Sequence, residues 1–133
     1  METGNRKERY RPFTIGERLD SIRNAIHGLK TIIRSEHNFR IHLVVLAAVI
    51  LAGILLGISR AEWIAVSLAA GAVLAGECFN TAIEFLADRV SPDRDDLIRR
   101  VKDITASGVL ILAMSSVIVG LIIFLPHLIK FLK

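Results

Sequence analysis

Acidic and amide side chains interrupt an apolar segment near the middle of this 133-residue chain. The stretch "GECFNTAIEFLAD", residues 76–88, follows a run from Trp63 that is almost entirely apolar. Five of its polar residues recur at spacings that put them on one helix face: Glu77, Asn80, Thr81, Glu84 and Asp88. A carboxylate that faces lipid is costly, so this face is predicted to meet other helices or a cleft open to water.

Carboxylates in such a position have one structural use and several chemical ones. Polar side chains stabilise helix pairs in membranes by about 1 kcal/mol each, but a single Asn or Ser would be enough for that purpose. Two carboxylates on the same face, Glu77 and Glu84, therefore favour a functional site. They would suit Mg²⁺ together with substrate phosphates, and they would also suit a proton relay or a cation path. These alternatives remain open at this point.

Three apolar runs are long enough to hold this face within a membrane. Hydrophobic residues make up 53% of the chain, and about 20 apolar residues span the hydrocarbon core. Transmembrane helices are predicted at about 38–58, 62–87 and 103–126. The predicted fold class is therefore an all-α integral membrane protein, with one membrane domain over 13–133 and a disordered N-terminus over 1–12.

An amphipathic helix is predicted ahead of the first span, over residues 14–34. Its apolar residues recur at spacings of three and four: Ile15, Leu19, Ile22, Ile26, Leu29 and Ile33. The sequence "TIGE" at Thr14 fits a capping box that would begin the helix. Because basic residues such as Arg18 and Arg23 lie off the apolar stripe, this helix is expected to lie in the membrane interface.

The basic residues are concentrated on one side of the predicted spans. Nine of the 17 Lys and Arg residues lie in the first 40 residues and five between 88 and 103, whereas the loop between the first two spans has one and the C-terminal tail has two. The N-terminus and the second loop are therefore predicted to be cytoplasmic, and the first loop and the C-terminus outside. Basic blocks that flank apolar runs suit an anionic membrane surface, so no nucleic-acid partner is predicted.

The same arrangement predicts the depth of the polar face. Trp63 is expected at the outer interface, where aromatic anchors are common. Glu77 follows 14 residues later, which is roughly 21 Å along a helix that rises about 1.5 Å per residue, in a core about 30 Å thick. Glu77 is thus expected inside the hydrocarbon near its cytoplasmic side, with Glu84 at the boundary and Asp88 just beyond it.

The sequence gives no support for several other kinds of site. It contains no Walker A sequence and no Gly-rich loop of the protein-kinase type. Its single cysteine, Cys78, excludes an internal disulfide and a multi-cysteine metal site. The histidines are scattered along the chain, and no catalytic or ligand role is predicted for any of them: His27, His37, His42 and His127. Three short spans would not enclose a site alone, so an oligomer is expected.

The stretch "ECFNTAIEFLAD" resembles the signature of the small prokaryotic diacylglycerol kinases, Glu-x-Leu-Asn-Ser/Thr-Ala-Ile-Glu followed by an Asp. Two further blocks, "SEHNFRIH" and "RVKDITASGVL", resemble the family's entries to its first and third spans. Phe79 stands where the family usually has an aliphatic residue, and Ala87 where it usually has a larger one, but neither lies on the polar face. The forms "NFRIH", "EW" and "IIFLPHL" look most like the Gram-positive branch, which acts as an undecaprenol kinase.

The resemblance implies a homotrimer in the bacterial plasma membrane, with active sites shared between subunits. It implies transfer of the γ-phosphate of ATP to a lipid hydroxyl, with Mg²⁺ as cofactor. Glu77 would be the catalytic base, and Asn80 would orient the base or the phosphate. Glu36 and Glu84 match the metal-binding glutamates at the ATP site. The other ATP-binding residues that the resemblance implies are Asp93, Asp95, Lys102 and Asp103.

Undecaprenol is the lipid expected from the likeness to the Gram-positive branch, and diacylglycerol, which would give phosphatidic acid, is the alternative. A non-enzymatic alternative is a small oligomeric proton or cation channel that uses Glu77 as an intramembrane carboxylate. Such a channel would not need Glu36, Lys102 or Asp103. The joint presence of these three residues therefore favours the kinase.

Overall fold

Four α-helices make up the part of the chain that the computed structural model describes, residues 14–91 and 95–133. They are α1 (Ile15–Ser35), α2 (His37–Leu56), α3 (Arg60–Val90) and α4 (Asp96–Phe131). No strand occurs in the two described ranges, so the predicted all-α class is confirmed. The disorder predicted for the first 12 residues lies outside the described residues.

Three of these helices, α2, α3 and α4, are long and apolar enough to cross a membrane, as predicted. Helix α2 has 20 residues, α3 has 31 and α4 has 36. At about 1.5 Å per residue α2 is close to the thickness of the hydrocarbon core, which is about 30 Å. Helices α3 and α4 are much longer, so each must extend beyond the hydrocarbon.

A tight turn joins α2 to α3 and aligns their ends. Gly57 has a φ of 65°, in the left-handed region that glycine adopts without a steric penalty, and the N–H of Ile58 donates to the carbonyl of Gly53 at 3.2 Å. Ser59 begins α3 with a capping box. Its hydroxyl oxygen accepts from the N–H of Glu62 at 3.3 Å, and the Glu62 carboxylate accepts from the N–H of Ser59 at 2.7 Å.

This turn determines how the two helices lie beside each other. Because only three residues separate α2 from α3, the helices start from a common end and run antiparallel. Helix α3 is the longer of the two, so its C-terminal third continues past the first residue of α2. The polar residues of α3 therefore begin beside the start of α2 and continue beyond it.

Helix α4 packs mainly against α3. A Cβ atom at Gly76 would lie 2.7 Å from Cδ1 of Leu112, so the absence of a side chain at this position allows the close approach. The hydroxyl of Ser116 donates to the carbonyl of Ala69 at 3.2 Å, which adds a polar contact between the helices. Near the α2–α3 turn, a small apolar cluster closes the end of the bundle: Ile58, Val66 and Ile123.

Most large apolar side chains of the long helices are exposed in the single chain, for example Val44, Leu68 and Ile122. Lipid or another subunit surrounds such side chains in a membrane, so they do not carry the cost that they would have in water. The described residues up to Thr31 form one compact unit, and Ile32–Lys133 form a second. All three long helices belong to the second unit.

Candidate active site

Glu77 is the most deeply buried carboxylate of the polar face, with 4% of its surface exposed. It lies in the middle of α3, opposite the first third of α2, because the short turn between the helices fixes their register. Helix α2 is just long enough to cross the hydrocarbon core. A residue opposite the interior of α2 therefore lies at hydrocarbon depth when α2 spans the membrane.

The Glu77 carboxylate has a partner on α2. Atom Nε2 of His42 lies 3.1 Å from Oε1 of Glu77, and the two side chains are 25% and 6% exposed. Sequence reasoning misses this contact, because one histidine at the edge of an apolar run is not a specific signal. One signal for it was available in the sequence. Asn38 and His42 are four residues apart, so they share a helix face and make that face of α2 polar.

Asn80 contacts the next carboxylate along α3. Its side-chain Nδ2 donates to Oε1 of Glu84 at 2.9 Å. Its other polar atom, Oδ1, is buried without a hydrogen-bond partner in the described structure, and so is the hydroxyl of Thr81. Buried polar atoms are normally hydrogen-bonded. These two unsatisfied atoms therefore mark a place where a further polar group is expected.

A cavity of about 360 Å³ lies beside these side chains and is formed by all three long helices. Its polar lining consists of Asn38 and His42 from α2 and of Glu77 and Asn80 from α3, while α4 contributes apolar residues such as Val109. One carboxylate, one imidazole and two amides thus face the same space. We refer to it below as the polar cavity.

A second cavity, of about 340 Å³, shares Ile41, His42 and Ala113 with the polar cavity. Apart from His42 and Ser116, its lining consists of apolar residues and a glycine. We refer to it as the apolar cavity. The two cavities together offer polar groups at one end and hydrocarbon-like walls at the other, which suits a molecule with one polar group and a long apolar chain.

Lys102 and Asp88 form an ion pair between the end of α3 and the start of α4. The distance from Nζ to Oδ1 is 2.9 Å, and the side chains are 34% and 64% exposed. Partly exposed ion pairs contribute little to stability, commonly less than about 1 kcal/mol. A phosphate group could therefore replace the Asp88 carboxylate beside Lys102 at a small cost.

Three of the remaining predicted site residues lie near the starts of α2 and α4. Glu36 immediately precedes α2, and its side chain makes no capping hydrogen bond. Asp95 caps α4, since its carboxylate accepts from two backbone N–H groups at 2.7 and 3.1 Å. Asp103 is exposed. Asp93 lies outside the described residues.

The structure thus pairs Glu77 with His42, Asn80 with Glu84 and Lys102 with Asp88. It shows no hydrogen bond or ion pair from Glu36 to any of these six residues.

The carboxylates of Glu36 and Glu84 supply the oxygen donors that Mg²⁺ prefers. Within residues 14–91 and 95–133 no group of three or more His, Cys, Asp or Glu side chains is arranged to hold a metal ion. In phosphoryl-transfer sites, however, Mg²⁺ is bound through one or two carboxylates together with the substrate phosphates. By residue type the two carboxylates would suit a metal that binds together with a nucleotide, while no hydrogen bond or ion pair in the described residues joins Glu36 to Glu84.

Known proteins similar to this chain are lipid kinases. Residues 23–124 match the family described as prokaryotic diacylglycerol kinase. The undecaprenol kinase of Bacillus subtilis is 36% identical over 105 residues, which cover 79% of this chain and 85% of that protein. Diacylglycerol kinases of a Synechocystis and a Sinorhizobium species are 34% and 32% identical over 84% and 69% of this chain, and over 65% and 66% of their own lengths. The chain therefore belongs to the prokaryotic diacylglycerol kinase family and is a membrane lipid kinase.

Proposed function

We propose that this kinase transfers the γ-phosphate of ATP to undecaprenol, forming undecaprenyl phosphate and ADP at the cytoplasmic edge of the plasma membrane. One observation carries the proposal: the buried carboxylate of Glu77 faces a polar cavity that adjoins an apolar one. A polyprenol has one hydroxyl on an otherwise apolar chain, so it matches this pair of cavities. The similarity to the Bacillus undecaprenol kinase supports the same lipid.

The reaction needs a base, and the position of Glu77 supports that role. Its carboxylate would take the proton of the lipid hydroxyl while the hydroxyl oxygen bonds to the γ-phosphorus. The bond from that phosphorus to the β–γ bridging oxygen then breaks, and ADP leaves. General-base catalysis typically contributes about 10²–10⁴-fold to the rate. For Asn80, which lines the same cavity, the family likeness supports a role in orienting the base or the phosphate.

The negative charge of the phosphates must also be neutralised, because phosphoryl transfer depends mainly on positioning and electrostatic stabilisation. Lys102 is suited to this task, since a phosphate could replace Asp88 as its partner. Glu36 and Glu84 would hold Mg²⁺ against the nucleotide. When bound, the metal would neutralise phosphate charge and orient the γ-phosphate toward the lipid.

For three aspartates the support is the family likeness. They are Asp93, Asp95 and Asp103. The carboxylate of Asp95 is already engaged as a helix cap, so we propose that it contributes to nucleotide binding by holding the start of α4 in place. Asp103 follows Lys102 directly and is exposed, which is compatible with contact to a nucleotide that arrives from water.

The proposed assembly is a homotrimer with a cytoplasmic N-terminus and an external C-terminus. The exposed apolar side chains of α2, α3 and α4 provide surface for contact between copies as well as for lipid. The apolar residues on one stripe of α1 and its basic residues elsewhere support an interfacial position for this helix. The concentration of Lys and Arg before α2 and around the α3–α4 loop supports the orientation.

Diacylglycerol is a second candidate substrate, favoured by the two diacylglycerol kinases among the relatives. Its ester carbonyls would need hydrogen-bond donors, and the amide of Asn38 in the polar cavity is one possible donor. The apolar cavity has few such groups. Sites that bind polar groups lose affinity when those groups are absent from the ligand, so the two lipids should differ clearly in rate.

Competition between the two lipids tests the proposal. Purified protein in one detergent receives MgATP with undecaprenol and dioleoylglycerol at equal mole fraction, and the two phosphorylated products are quantified over time. We expect the ratio of kcat/KM values to favour undecaprenol. A ratio favouring dioleoylglycerol would transfer the assignment to that lipid. ATP consumption that does not depend on either lipid would contradict both.

A further inference from the structure

The imidazole of His42 lies beside the carboxylate of the proposed base, yet the reaction described above does not use it. Its Nε2 lies 3.1 Å from Oε1 of Glu77. The two residues come from different helices, α2 and α3, and both line the polar cavity. His42 also lines the apolar cavity. It therefore lies where the two cavities meet, beside the carboxylate that would receive the proton.

We propose that His42 is a positioning residue for Glu77. Its Nε2 lies 3.1 Å from Oε1, and an N–H on that atom, once aligned with the carboxylate, would fix the orientation of the carboxylate and leave Oε2 to receive the proton of the lipid hydroxyl. This inference rests on the proposed role of Glu77 as the base. His42 itself does not take part in bond making or breaking.

The chemistry of the two groups decides which of them would donate in a hydrogen bond between them. An ionised carboxylate is only an acceptor, whereas Nε2 carries a hydrogen in the imidazolium ion and in one of the two neutral tautomers. A hydrogen bond to an ionised group is roughly twice as strong as a neutral one. It would hold one carboxylate oxygen and thereby limit rotation of the flexible glutamate side chain. Active-site bases are commonly oriented by a third group in this way.

A purely structural role for the contact is the competing interpretation, because it also joins α2 to α3. Two features weigh against that interpretation. Helix α3 packs mainly against α4, and the capping box at Ser59 and the turn at Gly57 already fix α2 beside α3 at the other end. A single side-chain hydrogen bond between membrane helices contributes little to stability on average. The loss of one such bond should therefore leave the fold intact.

The proposal is tested with three variants of the full-length protein assayed with MgATP and undecaprenol. His42→Leu removes the donor, His42→Gln keeps an N–H donor on a side chain of similar reach, and Glu77→Gln removes the base. We expect His42→Leu to lower kcat by at least about tenfold, since small misplacement of a catalytic group costs up to about 10²-fold. The KM for MgATP should stay within about twofold, and His42→Gln should recover most of kcat.

The double variant His42→Leu/Glu77→Gln separates positioning from structure. When His42 acts only through Glu77, adding His42→Leu to Glu77→Gln leaves the residual rate unchanged within about twofold. A structural role would reduce the rate by the same factor in both backgrounds, and would lower the thermal midpoint of His42→Leu and His42→Gln alike. Should His42→Leu not yield folded protein, His42→Met, which also has no donor, replaces it in both comparisons.

His127 provides a matched control near the other end of the bundle. Its Nδ1 lies 3.8 Å from Oε1 of Glu62 on α3 and 2.9 Å from the carbonyl oxygen of Ile123 on its own helix, so it is another imidazole beside a carboxylate of a neighbouring helix. His127→Leu should leave kcat within about twofold of the wild type. If His42→Leu keeps the wild-type kcat while Glu77→Gln is inactive, the positioning role of His42 is overturned and the base assignment of Glu77 stands. An active Glu77→Gln would instead overturn the base assignment and, with it, the inference.

Discussion

At the scale of single residues, the polar face of α3 is a series of three carboxylates, each with a different nitrogen partner. The partner of Glu77 is an imidazole, that of Glu84 an amide, and that of Asp88 an ammonium group. Side-chain exposure rises from 6% for Glu77 at one end of the series to 64% for Asp88 at the other. The buried end suits a lipid hydroxyl, and the exposed end suits a water-soluble nucleotide.

Glu77→Gln should keep the fold and remove nearly all lipid phosphorylation. Glutamine has almost the same shape and can still contact His42, but it cannot accept the hydroxyl proton. General-base catalysis is typically worth at least about 10²-fold, so kcat should fall by that factor or more. Initial rates with MgATP and undecaprenol provide the measurement, and size-exclusion chromatography checks the assembly. A variant that keeps more than about a tenth of the wild-type rate would contradict the base assignment.

Glu36→Ala and Glu84→Ala should each raise the Mg²⁺ concentration needed for half-maximal activity. Both carboxylates are proposed metal ligands, and loss of one of two protein ligands weakens binding even when the phosphates remain. The measurement is a Mg²⁺ titration of activity at saturating ATP. Glu62→Gln is the control, since it changes a carboxylate in the first turn of α3 while glutamine can still complete the capping box. An unchanged Mg²⁺ response in both Ala variants would contradict the metal site.

At the scale of the elements, the length of α3 and the turn before it bring the carboxylates into position. The left-handed Gly57 and the Ser59 capping box end α2 and start α3 within three residues. Gly53 then packs on Trp63, since a Cβ at Gly53 would lie 2.8 Å from the indole ring. This contact keeps α2 close to α3, and the resulting register places His42 against Glu77.

Gly53→Ala should destabilise the protein relative to Gly71→Ala. The added methyl group would collide with the rigid Trp63 ring, whereas a Cβ at Gly71 meets no atom within 4 Å in the chain. Overpacking commonly costs about 1–3 kcal/mol, and both variants share the helix-propensity gain of alanine over glycine. Denaturation midpoints in an SDS titration compare them. Adding Trp63→Leu to Gly53→Ala should restore the lost stability, because the smaller side chain leaves room for the methyl group. Equal midpoints for Gly53→Ala and Gly71→Ala would show that the close contact between Gly53 and Trp63 does not constrain the hairpin.

The sequence predicts the features that depend on one helix at a time. Hydropathy identified the three long helices, and spacing placed Glu77 and Glu84 on one face. Spacing cannot identify which residues meet across helices, because that depends on the register between them. The contact of His42 with Glu77 and the pairing of Lys102 with Asp88 are of this kind. The capping role of Asp95 is local, and an Asp directly before the helix was an available signal for it.

At the scale of the whole molecule, the two cavities lie in series where α2, α3 and α4 meet. The polar cavity contains the proposed base, and the apolar cavity extends from it along the bundle. This arrangement would let a lipid keep its chain among apolar side chains while its hydroxyl reaches Glu77. The size of the apolar cavity should then affect binding of the lipid without affecting binding of the nucleotide.

Ala70→Phe should raise the KM for undecaprenol by about tenfold, which corresponds to about 1.4 kcal/mol of lost binding, and leave the KM for MgATP within about twofold. Ala70 lines the apolar cavity of about 340 Å³, so a phenyl ring there would occupy space that the proposal gives to the lipid chain. Ala72→Phe is the control, because Ala72 is exposed and does not line either cavity. Initial rates over a range of lipid mole fractions in one detergent give both KM values. Equal lipid KM values for the two variants would mean that the lipid chain binds elsewhere. If Ala70→Phe raised only the KM for MgATP, the cavity would be assigned to the nucleotide.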